Sequence, residues 1–322
     1  MNHNEIYILT EYPQKADWEN SLRVLWKTCF GDPQHYENFY FDNVYTNNKV
    51  YALQDKGMIH VNSYRCKVMG HEMMLPYIVG VATDKQYRRQ GVMRKLLEQV
   101  LSDLHREGVP FVYLMPAKEE YYLPFGFRSV TMKKECLVTN TCVQSTKQIQ
   151  YLRYEEFCKQ PKDFRLQLLE QINQWLEQRY DVYALHDKDY YELLYREKAC
   201  QSGNVVFCFE DSINADMLCG VFAYAMDADI PYVEQMLVKE SMLQGLDIRE
   251  ELVCLYFDTC TNIKIAQSYP YMFRIVHREA FLKLFEEKLA TMTDKSVNEM
   301  PDEQIIECLF KEKDNIYFAE IV

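Results

Sequence analysis

The chain has no apolar run of about 18 residues, the length a membrane-spanning helix needs, and its first residues lack the basic and apolar stretches of an export signal. No membrane partner and a cytoplasmic location are the expectations. It also lacks any CxxC pair and any histidine arrangement at zinc-ligand spacing; its eleven cysteines are scattered and odd in number, which points to reduced thiols and no metal site. Cys208, Cys219 and Cys254 lie inside apolar, strand-like runs and read as small core hydrophobes. Basic charge is in short supply: Lys plus Arg number 36 against 48 Asp plus Glu, a net charge of −12. That excludes a general nucleic-acid binder, which needs a basic face to neutralise phosphates, and favours attraction of cationic amines. Neither the GxxxxGK[ST] phosphate loop nor the GxGxxG dinucleotide fingerprint occurs.

What is present is a basic, glycine-centred loop, Tyr87-Arg-Arg-Gln-Gly-Val-Met-Arg94. It follows the apolar run 75–82 and precedes a helical pattern over 92–107, whose Met93, Leu96, Leu97, Val100, Leu101 and Leu104 recur at i, i+3, i+4 as one buried face. Gly108 and Pro110 stop that helix. Strand, loop and helix in this order put backbone N–H groups at a helix N-terminus, where a glycine lets a pyrophosphate approach and arginines add charge-assisted contacts. Upstream, residues 5–10 form a weak strand, residues 18–45 two helical patterns broken at Gly31-Asp-Pro33, and residues 50–54, 58–69 and 73–83 an antiparallel meander. Asp55-Lys-Gly57 is its first turn, with glycine supplying positive φ. A second unit begins near Thr146. Its helix over 164–179 carries Leu168, Leu169, Ile172, Trp175 and Leu176 on one face, Asp187 caps a helix reaching Glu197, and 205–209, 217–225 and 232–238 repeat the meander. The segment 239–245 after that third strand has no matching arginine–glycine loop. At 322 residues the length fits two to three domains.

Arg88 and Gly91 occupy the first and fourth positions of Q/R-x-x-G-x-G/A, the motif A of the GCN5-related N-acetyltransferases (GNATs), with Met93 in the final small-residue slot. The context resembles that superfamily as well: Gly80-Val-Ala-Thr83 before the loop, Phe111-Val-Tyr-Leu-Met115 after the helix, then Tyr121-Tyr-Leu-Pro-Phe-Gly-Phe127. Within it, the chain most resembles the Eis-like (enhanced intracellular survival) proteins, through Leu25-Trp-Lys-Thr-Cys-Phe-Gly-Asp32 with Tyr36-Glu-Asn-Phe-Tyr-Phe41, through bulky residues after the loop glycine, and through Phe273-Arg-Ile-Val-His277 and Ala319-Glu-Ile-Val322.

The resemblance implies an α/β (α+β) fold: tandem GNAT folds of mixed, mainly antiparallel sheets flanked by helices, plus a short C-terminal α/β segment. Its domains would be a catalytic GNAT domain (1–145), a degenerate GNAT-like domain (146–270) that completes the substrate cleft and binds no CoA, and a shortened sterol-carrier-like region (271–322) ending in the active site. It implies acetyl-CoA as cosubstrate, held by the backbone of Val81, Ala82 and Thr83 and at its pyrophosphate by Arg88, Arg89, Gln90, Gly91, Val92, Met93 and Arg94. Tyr122 would be the general acid toward the thiolate, with Tyr121 its competitor, and the α-carboxylate of Val322 the proton acceptor, with Glu119, Glu120 and His60 as other bases. The acceptor would be a small-molecule or peptide amine (an aminoglycoside, polyamine or lysine side chain), and the assembly a homo-oligomer, hexameric by resemblance. A non-catalytic acyl-CoA-binding scaffold is the alternative.

Overall fold

The computed structural model describes residues 5–11, 14–140, 148–227, 229–239, 252–253, 256–257, 261–292, 297–310 and 315–319. In chain order the elements are β1 (Tyr7–Leu9), α1 (Gln14–Cys29), α2 (Gln34–Tyr40, continuing into a wider π-turn Phe41–Tyr45), β2 (Lys49–Leu53), β3 (Gly57–Val68), β4 (His71–Thr83), α3 (Val92–Arg106) and β5 (Phe111–Leu114). Then come β6 (Arg128–Asn140), β7 (Ile149–Arg153), α4 (Tyr154–Phe157), α5 (Lys162–Arg179), β8 (Val182–Ala184), α6 (Lys188–Cys200), β9 (Asn204–Glu210), β10 (Leu218–Asp227), β11 (Ile230–Val238) and β12 (Thr261–Ile275). Helices Arg278–Leu284, Glu286–Met292 and Asp302–Leu309 and the strand β13 (Ile316–Tyr317) close the described chain. Mixed, mainly antiparallel strands flanked by helices are the fold class the sequence implied.

The chain divides into two compact units: one holds the residues up to Met132, Asp181–Ala184 and those from Tyr269 on, the other Lys133–Tyr180 and Leu185–Ser268. In the first, strands run in the order β1-β2-β3-β4-β5-β12. β8 pairs with the far end of β3, from Cys66 to Val68, and β13 lies parallel on β8. The apolar stripe of α3 drives this packing: Leu96, Leu97 and Val100 are fully buried and form one cluster with Tyr51, Ile59, Ile78 and Leu114 of the sheet. Truncating Leu97 to alanine there would cost about 2–5 kcal/mol through lost transfer energy and a cavity. α1 meets β4 through Trp26, which stacks on Tyr40 with ring centroids 4.3 Å apart.

The second unit is an antiparallel run β11-β10-β9-β7, with Cys136 and Leu137 of β6 added on β11. Its α5 buries the predicted Leu168, Leu169, Ile172, Trp175 and Leu176, and Asp187 caps α6 by accepting from the Tyr190 amide at 2.9 Å. Lys198, fully buried, is bonded to Glu197 at 2.8 Å and to Glu234. Such a buried pair is destabilising to break because it would leave an uncompensated charge.

Three local expectations change. The positive φ of the β2–β3 turn falls on Gln54 (47°) and not on Gly57. α1 begins at Gln14, ahead of the apolar periodicity that starts at Trp18, because Lys15 is buried and donates into the carbonyls of Tyr45, Thr46 and Asn48. α6 runs past Glu197 to Cys200. Cys208 and Cys219 are buried as expected; Cys254 and residues 240–245 lie outside the described residues.

Candidate active site

β4 and β5 are parallel neighbours, yet among the described residues they pair only at Tyr77 with Tyr113 and Ile78 with Leu114. β4 continues to Thr83, held on its other edge by β3 as far as the Thr83–Gly57 pair. β5 ends at Leu114, opposite Ile78; from this fork on, residues 79–83 offer a backbone edge that β5 does not cover. An extended ligand carrying amides can add to such an edge as a strand does. Inside this stretch the register jumps, because His60 faces Val79 while Met58 faces Ala82. Ile59 therefore opposes two residues, Gly80 and Val81: a β-bulge with its glycine at φ 57°, the left-handed conformation that such bulges use. A side chain at Gly80 would come within 2.8 Å of Trp26 Cζ3.

The loop after β4 is built locally. Asp84 Oδ1 accepts from the Gln86 amide at 2.8 Å, and the Gln90 side chain donates to the Gln86 carbonyl at 2.7 Å. Arg89 (φ 62°) and Gly91 (φ 81°) both hold the left-handed conformation, and Arg88 before them is extended. Gly91 is the N-cap of α3, with no side-chain cap and no acidic residue in the first turn. Among the described residues, nothing beyond its own chain neighbours lies within 4 Å of the position its Cβ would take. The positive end of the α3 dipole therefore opens onto free space.

The structure brings the predicted cofactor residues to one end of β4. Val81 and Thr83 are half-buried and Ala82 buried; Arg88, Arg89, Gln90, Gly91 and Arg94 are exposed. Arg88 Nε donates to the Thr83 carbonyl at 3.2 Å, tying loop to strand. Arg94 lies over the Phe125 ring at 4.9 Å and pairs with Glu98 at 3.4 Å. Val92 is buried, and Met93 packs partly buried against the α3 cluster, so its bulk enters the core.

Tyr122 sits between two short 3-10 turns, Glu119–Tyr121 and Leu123–Phe125, and its carbonyl accepts from Phe125 N at 2.9 Å. Its ring is 6% exposed, lies 5.8 Å from that of Phe127, and belongs to the same cluster as Ile78 and Leu114, the last paired residues of the fork. Burial raises the pKa of its phenol, so it keeps its proton. Tyr121 is 52% exposed. Of the other bases, Glu119 accepts from Ser129 Oγ at 2.6 Å and Glu120 is exposed. Val322 lies outside the described residues; short of it, the Phe318 ring stacks on Tyr113 with centroids 4.3 Å apart, and Tyr113 stacks on Tyr77 at 4.7 Å.

His60 is fully buried, and around it the fold assembles a network that the sequence does not announce. Its Nδ1 lies 3.0 Å from Tyr40 Oη and 3.3 Å from Asn48 Nδ2, and Asn48 also donates to Asn62 Oδ1 at 3.0 Å. Lys15 Nζ donates to Asn48 Oδ1 at 3.3 Å. Among the described residues, His60 Nε2 and Asn62 Nδ2 are buried without a hydrogen-bond partner. An unpaired buried polar group costs about 1–3 kcal/mol. Burial, with the Lys15 charge as a smaller cause, lowers the His60 pKa to about 3 and keeps the ring neutral. These residues come from α1, α2, the α2–β2 link and β3, so no spacing links them in advance.

With this geometry in place, the comparisons are specific. Residues 11–130 match the family model of the acetyltransferase (GNAT) domain. That stretch is a GNAT acetyltransferase domain, and the protein is an acyltransferase. No curated protein matches the chain. Among solved structures, a probable N-acyltransferase from Enterococcus faecalis V583 superposes with a TM-score of 0.63 at 12% identity, covering 86% of this chain and 74% of that one. A GCN5-related N-acetyltransferase from Anabaena variabilis ATCC 29413 gives 0.61 at 13% identity, covering 85% and 73%. Eis1 from Mycobacterium abscessus gives 0.52 at 14%, covering 87% and 76%. At these identities the likeness is one of fold.

Proposed function

We propose that the protein is an Eis-like, acetyl-CoA-dependent N-acetyltransferase that acetylates a primary amine of a cationic acceptor: an aminoglycoside, a polyamine or a lysine side chain. One observation carries the reading: the uncovered edge of β4 beyond Ile78 leads directly to the open, acid-free N-terminus of α3. Diphosphate settles on the amides beyond Gly91 with Arg88, Arg89, Gln90 and Arg94 around it, and Val92 and Met93 anchor the helix start in the core. The pantetheine arm extends along Val81, Ala82 and Thr83. Four residues of strand span about 13 Å, so a thioester following that edge back from Thr83 ends beside Gly80, at the fork.

There the neutral amine attacks the thioester carbonyl. The C–N bond forms, the carbonyl electron pair moves to oxygen, and collapse breaks the C–S bond. Tyr122 gives its proton to the departing thiolate. The attacking nitrogen's proton passes to the terminal carboxylate of Val322. Docking of Phe318 on Tyr113 supports this reading, since three residues beyond Ala319 reach at most about 10 Å. The net charge of −12 favours cationic acceptors.

Calorimetric titration with acetyl-CoA, followed by thiol release across aminoglycosides, polyamines and lysine peptides and corrected for the protein's own cysteines, tests the proposal. Release that depends on one amine class is expected. Tight acetyl-CoA binding with no release from any amine would favour the scaffold reading, though Met93, absorbed by the core, gives that reading no support.

A further inference from the structure

We infer that His60 is a hydrogen-bond donor to the acetyl carbonyl oxygen, presenting a neutral Nε2–H at the Gly80 bulge. The inference rests on acetyl-CoA lying along β4 as proposed above. Its tautomer follows from the network. Lys15 can only donate, so the oxygen of Asn48 faces it and the Asn48 amide nitrogen faces Tyr40 Oη (3.1 Å), Asn62 Oδ1 (3.0 Å) and His60 Nδ1 (3.3 Å). Tyr40 Oη has one hydrogen to give, with His60 Nδ1 at 3.0 Å and Asn62 Oδ1 at 3.3 Å; Asn62 Oδ1 already accepts from Asn48, so the hydrogen goes to the nearer Nδ1. With the Tyr40 hydroxyl donating to it, Nδ1 is the acceptor and the single ring proton resides on Nε2. Nε2 is the buried atom without a partner among the described residues.

Its placement follows from the bulge. His60 faces Val79 in register, and both Cγ and Cδ2 of its ring lie 3.3 Å from where a Gly80 Cβ would be. Cδ2 adjoins Nε2 in the ring, so the unpaired donor lies next to the residue at which the thioester ends. When the amine attacks, negative charge grows on the carbonyl oxygen, and a fixed neutral donor stabilises it without giving up its proton. The aromatic rings of Trp26, Tyr40 and Tyr45, with centroids 5.6, 5.6 and 5.9 Å from that of His60, pack around the imidazole and hold it in place.

Two measurements test this. In nitrogen-15-histidine-labelled protein, with His60 assigned through His60→Gln, Nε2 is expected to be protonated and Nδ1 not. Acetyl-CoA is expected to shift the Nε2–H resonance, whereas CoA, which lacks the carbonyl, leaves it in place. A proton on Nδ1, or equal responses to both ligands, overturns the inference. In turnover, His60→Leu is expected to lower kcat about 100-fold with acetyl-CoA affinity unchanged, and His60→Gln, which restores an N–H near the same place, recovers most of it. Should His60→Leu fail to fold, Tyr40→Phe removes the donor that fixes the tautomer and is expected to lower kcat with KM unchanged. Wild-type kcat in either folded variant contradicts the role. If the wild-type protein transfers no acetyl group to any amine, the proposed reaction fails, and the resonance comparison still decides whether His60 meets the acetyl oxygen.

Discussion

Replacing Gly91 by alanine separates cofactor binding from folding. Gly91 holds φ at 81°, where an L-residue pays about 1–2 kcal/mol for its Cβ. Among the described residues, none beyond its chain neighbours has an atom within 4 Å of that Cβ, so no clash adds to the strain. The methyl group instead enters the space in front of the α3 amides, where the diphosphate would sit, and displaces it from at least one charge-assisted hydrogen bond. Such a bond contributes about 1.5–3 kcal/mol, so acetyl-CoA affinity should fall roughly 10- to 100-fold. Gly91→Glu adds like-charge repulsion of about 1–4 kcal/mol per phosphate charge at close range and should abolish measurable binding. Gly108 is the control: it sits past the other end of α3 at φ 74°, also with nothing within 4 Å. Gly108→Ala should cost the same strain, a melting shift of a few degrees, and leave affinity intact. Calorimetry and thermal melts on the three variants make the comparison. If Gly91→Ala melts like Gly108→Ala and binds acetyl-CoA as tightly as wild type, the α3 N-terminus is not the diphosphate site.

Tyr122→Phe should lower kcat about 100-fold or more while acetyl-CoA affinity holds, since the ring remains packed on Phe127; equal losses in both would show a structural role instead. Extending the chain by one glycine after Val322 moves the terminal carboxylate and should cut kcat with binding retained; full activity in the extended protein would assign the proton to another base. His60 and His186 are both buried, with burial lowering each pKa to about 3. The folded state thus refuses a proton that the unfolded chain accepts near 6.5. Their stability contribution is complete above about pH 6.5 and is lost as pH falls toward 3, roughly 1 kcal/mol per pH unit for each histidine across that range. Unfolding free energies from urea titrations of wild type and His186→Gln should converge by about 2 kcal/mol between pH 7 and pH 5, and a constant difference would refute it.

The parts legible in the sequence are those with local rules. The 3.6-residue stripe of Leu96, Leu97, Val100, Leu101 and Leu104 places α3, the Asp187 cap places α6, and the loop Arg88–Arg94 with the Tyr122 turn follows from order along the chain. What escapes reading depends on contacts far apart in sequence. The three residues of β8 are too short for a period, and they belong to the first unit only because β3 and β13 pair with them. The left-handed Gly80 is indistinguishable from any strand glycine until Ile59 is seen to face two residues. Lys15 looks like a helix-start surface cation, yet it is buried against Tyr45 and Asn48, 30 and 33 residues on, and its pairing with Asn48 is what fixes the His60 network.

Group transfer is tested most directly with acetyl-CoA labelled at the acetyl carbonyl carbon, incubated with the protein and the amine panel and followed by carbon NMR. The thioester signal is expected to decay into a single amide signal for one class of amine, with a matching amount of free CoA thiol. A thioester signal that persists in the presence of every amine, or decays only to acetate, would contradict it.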